Sequence, residues 1–117
     1  MRAIAASREN NVFASVCALT LEGAPYCWGS NSVGQLGSNT ATQRCTRING
    51  SLSSDCATTP QPVLGGLKAG TIVVGGRHVC VITLDQKIFC WGNNTNGQLG
   101  NGSTTNSVTP VLSRFNL

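Results

Sequence analysis

Charge is scarce in this 117-residue chain. Asp, Glu, Lys and Arg make up 10% of it, with four acidic and eight basic residues for a formal net charge of +4. The basic residues (Arg2, Arg8, Arg44, Arg47, Lys68, Arg77, Lys87 and Arg114) are scattered, and no stripe of them alternates with aromatics. That argues against nucleic acid as a partner and for a mildly basic, hydrated surface. Long apolar runs are missing too: no stretch approaches the roughly 18 residues that span a bilayer. The apolar lead Met1–Ser7 is short and is followed at once by Arg8-Glu9-Asn10-Asn11, so these residues are not expected to act as a signal peptide. No segment carries a long helical period. What the chain has is glycine, 14 of it, with much Ser, Thr and Asn between short apolar runs. This is the composition of a turn-rich, all-β protein.

Catalytic groups are equally thin. The carboxylates are Glu9, Glu22, Asp55 and Asp85, and His78 is the single histidine. Glu22 and Asp85 fall at equivalent turns of two similar segments, so they read as turn residues rather than a cooperating acid–base pair. His78 reads as a structural residue at a strand start. Gly65-Gly66 and Gly75-Gly76 lack the Gly-Lys-Ser/Thr ending of a phosphate loop. The expectation is no enzyme, no catalytic residue, no cofactor and no metal.

Internal repetition organises the rest. Cys17–Gly37 (CALTLEGAPYCWGSNSVGQLG) and Cys80–Gly100 (CVITLDQKIFCWGNNTNGQLG) align at an offset of 63 with eleven of 21 positions identical. Such a register reports duplication of a structural unit. Pro62-Val63-Leu64 follows the first block and Pro110-Val111-Leu112 the second. Taken as equivalent markers, they give the first unit about 15 extra residues, between Gly37 and Pro60, in a repeat otherwise close to 50 residues. The units are accordingly 1–59, with an insertion at 38–59, and 60–117.

Each unit reads as short strands and tight turns. Ala3–Ala6 and Thr71–Val74 are brief strands. Hairpins follow, Val16–Leu21 with Ala24–Trp28 and Val79–Leu84 with Lys87–Trp91. Gly23 supplies a positive φ to the first turn, and Gln86 at the same place suggests a different turn type. Cys17 and Cys27 are equidistant from residue 22, and Cys80 and Cys90 from residue 85, so each pair should face across its hairpin. Disulfides Cys17–Cys27 and Cys80–Cys90 are expected, leaving Cys45 and Cys56 to staple the insertion. The spacings C-x9-C and C-x10-C do not suit zinc. Three bridges would place the parent protein in an oxidising compartment, secreted or at the cell surface. Sequons stand at Asn49, Asn93 and Asn101, potential glycosylation sites in an exported eukaryotic product.

The strings Cys27-Trp28-Gly29-Ser30-Asn31-Ser32-Val33-Gly34-Gln35-Leu36-Gly37 and Cys90-Trp91-Gly92-Asn93-Asn94-Thr95-Asn96-Gly97-Gln98-Leu99-Gly100 resemble the W-G-x-N-x-x-G-Q-L-G signature of the regulator of chromosome condensation repeats. Arg77-His78-Val79-Cys80-Val81-Ile82 is similar to the same family's H-x-C-A-L strand, and Ser15 stands where the first unit would carry that histidine. The paired cysteines are closer to exported members than to the nuclear founding member. The resemblance implies a seven-bladed β-propeller of antiparallel four-stranded sheets, of which this chain holds about two blades. It assigns fold roles to Trp28, Gly29, Asn31, Gly34, Gln35, Leu36 and Gly37, and to Trp91, Gly92, Asn94, Gly97, Gln98, Leu99 and Gly100. Two blades cannot close a ring, so further blades come from a longer chain or from self-association, or the chain is a remnant without independent function. The function implied is a non-catalytic scaffold that binds a protein partner. The alternatives are nucleotide exchange with chromatin contact, as for the founding member, and enzyme inhibition.

Overall fold

The computed structural model describes residues 3–6, 15–38, 43–46 and 53–113, with the backbone alone for 43, 45, 46, 53 and 54. Nine strands follow one another: β1 (Ala3–Ala6), β2 (Ser15–Leu19), β3 (Pro25–Ser30), β4 (Gln43–Thr46), β5 (Ser53–Pro62), β6 (Ala69–Val74), β7 (His78–Thr83), β8 (Ile88–Gly92) and β9 (Ser107–Leu112). They form two antiparallel sheets, ordered β1-β2-β3-β5-β4 and β6-β7-β8-β9. The described residues contain no helix. The first sheet is thus a four-stranded meander, β1-β2-β3-β5, carrying β4 as a fifth strand on its outer edge.

The two hairpins use the same turn. Gly23 N–H donates to the Thr20 carbonyl at 2.9 Å, and Gln86 N–H donates to the Thr83 carbonyl at 3.0 Å. The threonine hydroxyls accept from Ala24 N–H (3.1 Å) and Lys87 N–H (3.0 Å). Gly23 has φ 91° and Gln86 φ 69°. The different turn type expected at Gln86 is therefore corrected: Gln86 takes the left-handed conformation that glycine takes in the first unit. The turns set the register, in which Cys17 faces Cys27 and Cys80 faces Cys90.

The fourth strands correct the sequence alignment. Val63 N–H donates to the Pro25 carbonyl and Ser113 N–H to the Ile88 carbonyl. Gly29 pairs with Ala57, and Gly92 with Ser107. These equivalences match Pro60, not Pro62, to Pro110. From Trp28 to Pro60 is 32 residues against 19 from Trp91 to Pro110, so the insertion holds 13 residues rather than about 15. Both prolines sit where the register shifts, between Cys27 and Gly29 on one ladder and between Cys90 and Gly92 on the other. A bulge is where a residue without an N–H donor costs the ladder least. The unit boundary expected at 59/60 also falls inside β5, and 60–62 belong to the first sheet.

The core lies between the sheets. Cys17, Leu19, Cys27, Leu36 and Ala57 of the first unit form one buried cluster with Ala69, Ile72, Val79, Val81 and Trp91 of the second. Ala69 N–H donates to the Gly23 carbonyl at 2.8 Å, tying β6 to the first hairpin turn.

Candidate functional site

The Gly-Gln-Leu-Gly segment of each unit is a compact turn built by its own amides. In the first, Asn31 Oδ1 accepts from Leu36 N–H at 3.1 Å and Gln35 Oε1 from Val33 N–H at 3.0 Å. In the second, Asn94 Oδ1 accepts from Leu99 N–H at 2.9 Å and Gln98 Oε1 from Asn96 N–H at 2.9 Å. Asn94 is fully buried, and its Nδ2 donates to the carbonyls of Ser103 (2.9 Å) and Thr105 (3.1 Å). A buried amide with all its groups paired fixes one loop conformation. Gly34, Gly37, Gly97 and Gly100 all have positive φ.

The first turn is also half of a joint. The Trp91 indole is fully buried, and its Nε1–H donates to the Gln35 carbonyl at 2.9 Å. A Cβ on Gly37 would lie 2.7 Å from that Nε1, and one on Gly34 would lie 2.6 Å from Val108 Cγ1. Glycine is required here for close approach as well as for φ. The sequence shows that Trp and glycine recur, but not that the Trp of one unit rests on the glycines of the unit before it.

The equivalent positions of the two units differ in burial. Trp91 and Val79 are fully buried, whereas Trp28 and Val16 are half-buried. Ile72 is 8% exposed and its counterpart Ile4 is 60% exposed. On the opposite faces Leu19 is fully buried and Ile82 half-buried. Beside Trp28 lies an open cavity of about 270 Å³ lined by Ala18, Leu19, Leu21, Tyr26 and Pro60 among others.

The inserted β4–β5 hairpin projects from the first sheet. Arg44 pairs with Asp55 on it, Nη1 to Oδ1 at 2.8 Å, with both side chains more than half exposed. Cys17–Cys27 and Cys80–Cys90 are disulfides, each with a Cα–Cα distance of 4.1 Å. Cys56 is disulfide-bonded and buried. The side chain of Cys45 lies outside the described residues, as does the sequon at Asn49. The Asn93 and Asn101 side chains are half-buried, and each accepts a backbone N–H two residues on.

Polar chemistry is local. Burial lowers the pKa of His78, whose ring lies against Gly75. A hydrogen bond from the Thr83 hydroxyl, helped by Lys87, holds the Asp85 carboxyl below its usual range. Glu22 lies in the other hairpin turn, so the two carboxylates stand in separate units. Among the described residues no three His, Cys, Asp or Glu side chains gather as metal ligands, and no helix is long and apolar enough to cross a membrane.

Two similar sheets, stacked so that one unit's tryptophan rests on the preceding unit's glycine turn, define consecutive blades of a β-propeller. The chain belongs to the regulator of chromosome condensation family: it matches the family described as "Regulator of chromosome condensation (RCC1) repeat" over residues 22–82 and 85–116. It is 31% identical over 95 residues to the ultraviolet-B receptor UVR8 of Arabidopsis thaliana, and 35% identical over 99 residues to the probable E3 ubiquitin-protein ligase HERC4 of Homo sapiens. Each match covers 81% of this chain, but only 19% of the receptor and 8% of the ligase. Among solved structures the fold is similar to yeast RCC1 (Prp20) in its complex with Kap60, with a TM-score of 0.72 at 14% identity over 92% of this chain and 26% of that one. It is also similar to human WBSCR16, with a TM-score of 0.65 at 21% identity over 92% of this chain and 23% of that one.

Proposed function

We propose that this chain is a non-catalytic, protein-binding part of a propeller scaffold that works outside the reducing cytosol, and that the β4–β5 hairpin is its main contact element. The observation that carries this reading is the hairpin itself. It is added to an otherwise regular four-stranded sheet, it offers an outer edge at β4, and it carries the exposed Arg44–Asp55 pair. The matching stretch of the second unit, between Gly100 and Ser107, closes in six residues, so the blade does not need the extra strand. Inserted loops held on a rigid frame are where recognition concentrates. Relatives support a protein as the partner: yeast Prp20p was solved with its binding to Gsp1p and histones described. The match to a ubiquitin ligase covers 8% of that protein, which supports a binding rather than a ligase role here. The oxidised hairpin cysteines support an exported setting.

The test is a binding screen of the non-reduced chain against an array of secreted and cell-surface ectodomains. Any partner found is then re-measured with the double substitution Arg44→Ala, Asp55→Ala. The pair is exposed, so stability should change by less than about 1 kcal/mol, while affinity falls at least roughly tenfold. Unchanged affinity would remove the hairpin from the interface. Six free thiols in the protein isolated from its native source would instead favour the nucleotide-exchange reading of the nuclear founding member.

A further inference from the structure

Between β5 and β6 the chain crosses from the first sheet to the second, and the crossing is tied to both. Leu64 N–H donates to the Gly37 carbonyl at 2.8 Å and Ala69 N–H to the Gly23 carbonyl at 2.8 Å, both in the first unit. Leu84 N–H, in the second hairpin turn, donates to the Lys68 carbonyl at 2.9 Å. The crossing is therefore a fixed wall, and the second hairpin turn stands beside it. An open cavity of about 390 Å³ lies between them, within the roughly 300–1,000 Å³ range of sites that hold ligands. Leu67 and Phe89 line it, both half-buried and packed on the core that the blades share. Leu84 lines it too and is 58% exposed. Phe89 lies opposite Val81, on the sheet face that carries Trp91 and that the first blade covers. The cavity thus opens at the joint inside the pair and not on an outer face of either blade.

Its polar groups are unevenly matched. The Asp85 carboxylate accepts from the Thr83 hydroxyl and lies 3.7 Å from Lys87 Nζ. Lys68 is exposed, and among the described residues its ammonium group has no carboxylate partner. Two lysines and one carboxylate leave the lining with one positive charge in excess. Gly66, also in the lining, has nothing within 4 Å of a built Cβ, so the rim there is open to a chain lying across it.

We propose that this cavity docks a short acidic segment of a protein partner, seating one apolar side chain against Leu67, Leu84 and Phe89 and a flanking carboxylate on Lys68. The occupant is argued from charge complementarity. The apolar lining suits one buried side chain, the excess positive charge selects a carboxylate beside it, and the open rim at Gly66 admits a continuing chain. A basic segment would meet Lys68 with nothing to offset the repulsion, because Asp85 is already engaged by Thr83 and Lys87. The inference rests on the protein-binding reading above but not on the β4–β5 hairpin, which contributes no residue to the lining.

The test uses the non-reduced 117-residue chain and capped, fluorescently labelled peptides in which one apolar residue, varied through Val, Leu, Ile, Met and Phe, is flanked by glutamates. A matched set carries lysines in place of the glutamates. Fluorescence anisotropy should show binding of acidic peptides that weakens as salt rises, and no binding of the basic set. Lys68→Glu should weaken it at least roughly tenfold, Lys68→Gln by less, and Leu84→Ser roughly fivefold. Both residues are exposed, so the thermal midpoint should stay in place, which separates loss of docking from loss of fold. Amide resonances that shift on addition of peptide should concentrate at 66–68 and 83–87. The variant Arg44→Ala, Asp55→Ala should bind the peptides unchanged, so failure here and failure of the hairpin reading are told apart. No binding by any acidic peptide at millimolar concentration overturns the proposal. So does equal binding of the basic set, indifference to Lys68→Glu, or loss of binding in the Arg44→Ala, Asp55→Ala variant. Isovalerate alone binding as tightly as the peptides would mark a site for small acids and overturn it as well.

Discussion

Gln86 is the residue whose conformation its chemistry least explains. It holds φ 69° in a turn where the first unit has Gly23 at 91°, and for a residue with a Cβ the left-handed region costs about 1–2 kcal/mol. The side chain is exposed and makes no hydrogen bond among the described residues that repays that cost. Gln86→Gly should therefore stabilise the chain by about 0.5–1 kcal/mol after the added freedom of the unfolded state is subtracted. The measurement is chemical denaturation of the two proteins. A destabilised variant would show that the Gln86 side chain holds a contact the backbone does not reveal. Thr20 and Thr83 explain why the turn tolerates the change: each hydroxyl accepts the N–H across the turn, so the loop is closed by the threonine whichever residue follows.

At the scale of elements, the hairpins were legible because their information is local. A turn midway between two cysteines determines which residues face one another, and period-two alternation then determines which share a face. The fourth strand was misread for the opposite reason. Pro-Val-Leu occurs twice, but its register depends on hydrogen bonds to Pro25 and Ile88, some 25 or more residues away, and those select Pro60 as the partner of Pro110. Likewise β4 (Gln43-Arg44-Cys45-Thr46) has no apolar alternation, so nothing within it announces a strand, and only pairing with β5 makes it one. The role of the glycine turns as seats for a neighbouring blade was hidden because a repeat shows which residues recur, not which copies touch. That seat is testable. Gly34→Ala and Gly97→Ala impose the same φ strain, but only the first drives a methyl towards Val108 Cγ1 at 2.6 Å. Gly34→Ala should cost at least about 1 kcal/mol more than Gly97→Ala, read as the difference between two thermal or denaturant midpoints of monomeric chain. Equal losses would mean that β9 yields freely and the joint there is loose.

For the whole molecule, cross-linking and the shared core do the same work from different directions. The two blades share one buried cluster, so neither sheet has a complete core of its own, and unfolding should be a single transition. Each hairpin bridge closes a span of ten residues, which by loop-closure entropy stabilises by about 2–3 kcal/mol. Losing both removes about 4–6 kcal/mol, comparable with the whole net stability usual for a small domain. The chain in reductant should lose its near-ultraviolet circular dichroism at 25 °C in one step. Retention of that signal with every bridge confirmed open, that of Cys56 included, would show that packing alone holds the blades, and would weaken the argument for an oxidising compartment.

The seat of Trp91 on the first glycine turn also sets an order of events during synthesis. The Leu19 face and the turn at Gly34–Gly37 leave the ribosome first, yet the residues that cover them, Ile72 through Trp91, are translated only after the insertion has passed. At about 5–20 residues per second that is a delay of several seconds, during which a nascent apolar sheet stands open to any passing surface. Oxidation of Cys17 with Cys27 needs nothing from the second unit. An early bridge would hold the first hairpin in shape while its cover is still being made, and the timing of disulfide formation, more than its final strength, would then decide how much of the newly made chain escapes aggregation.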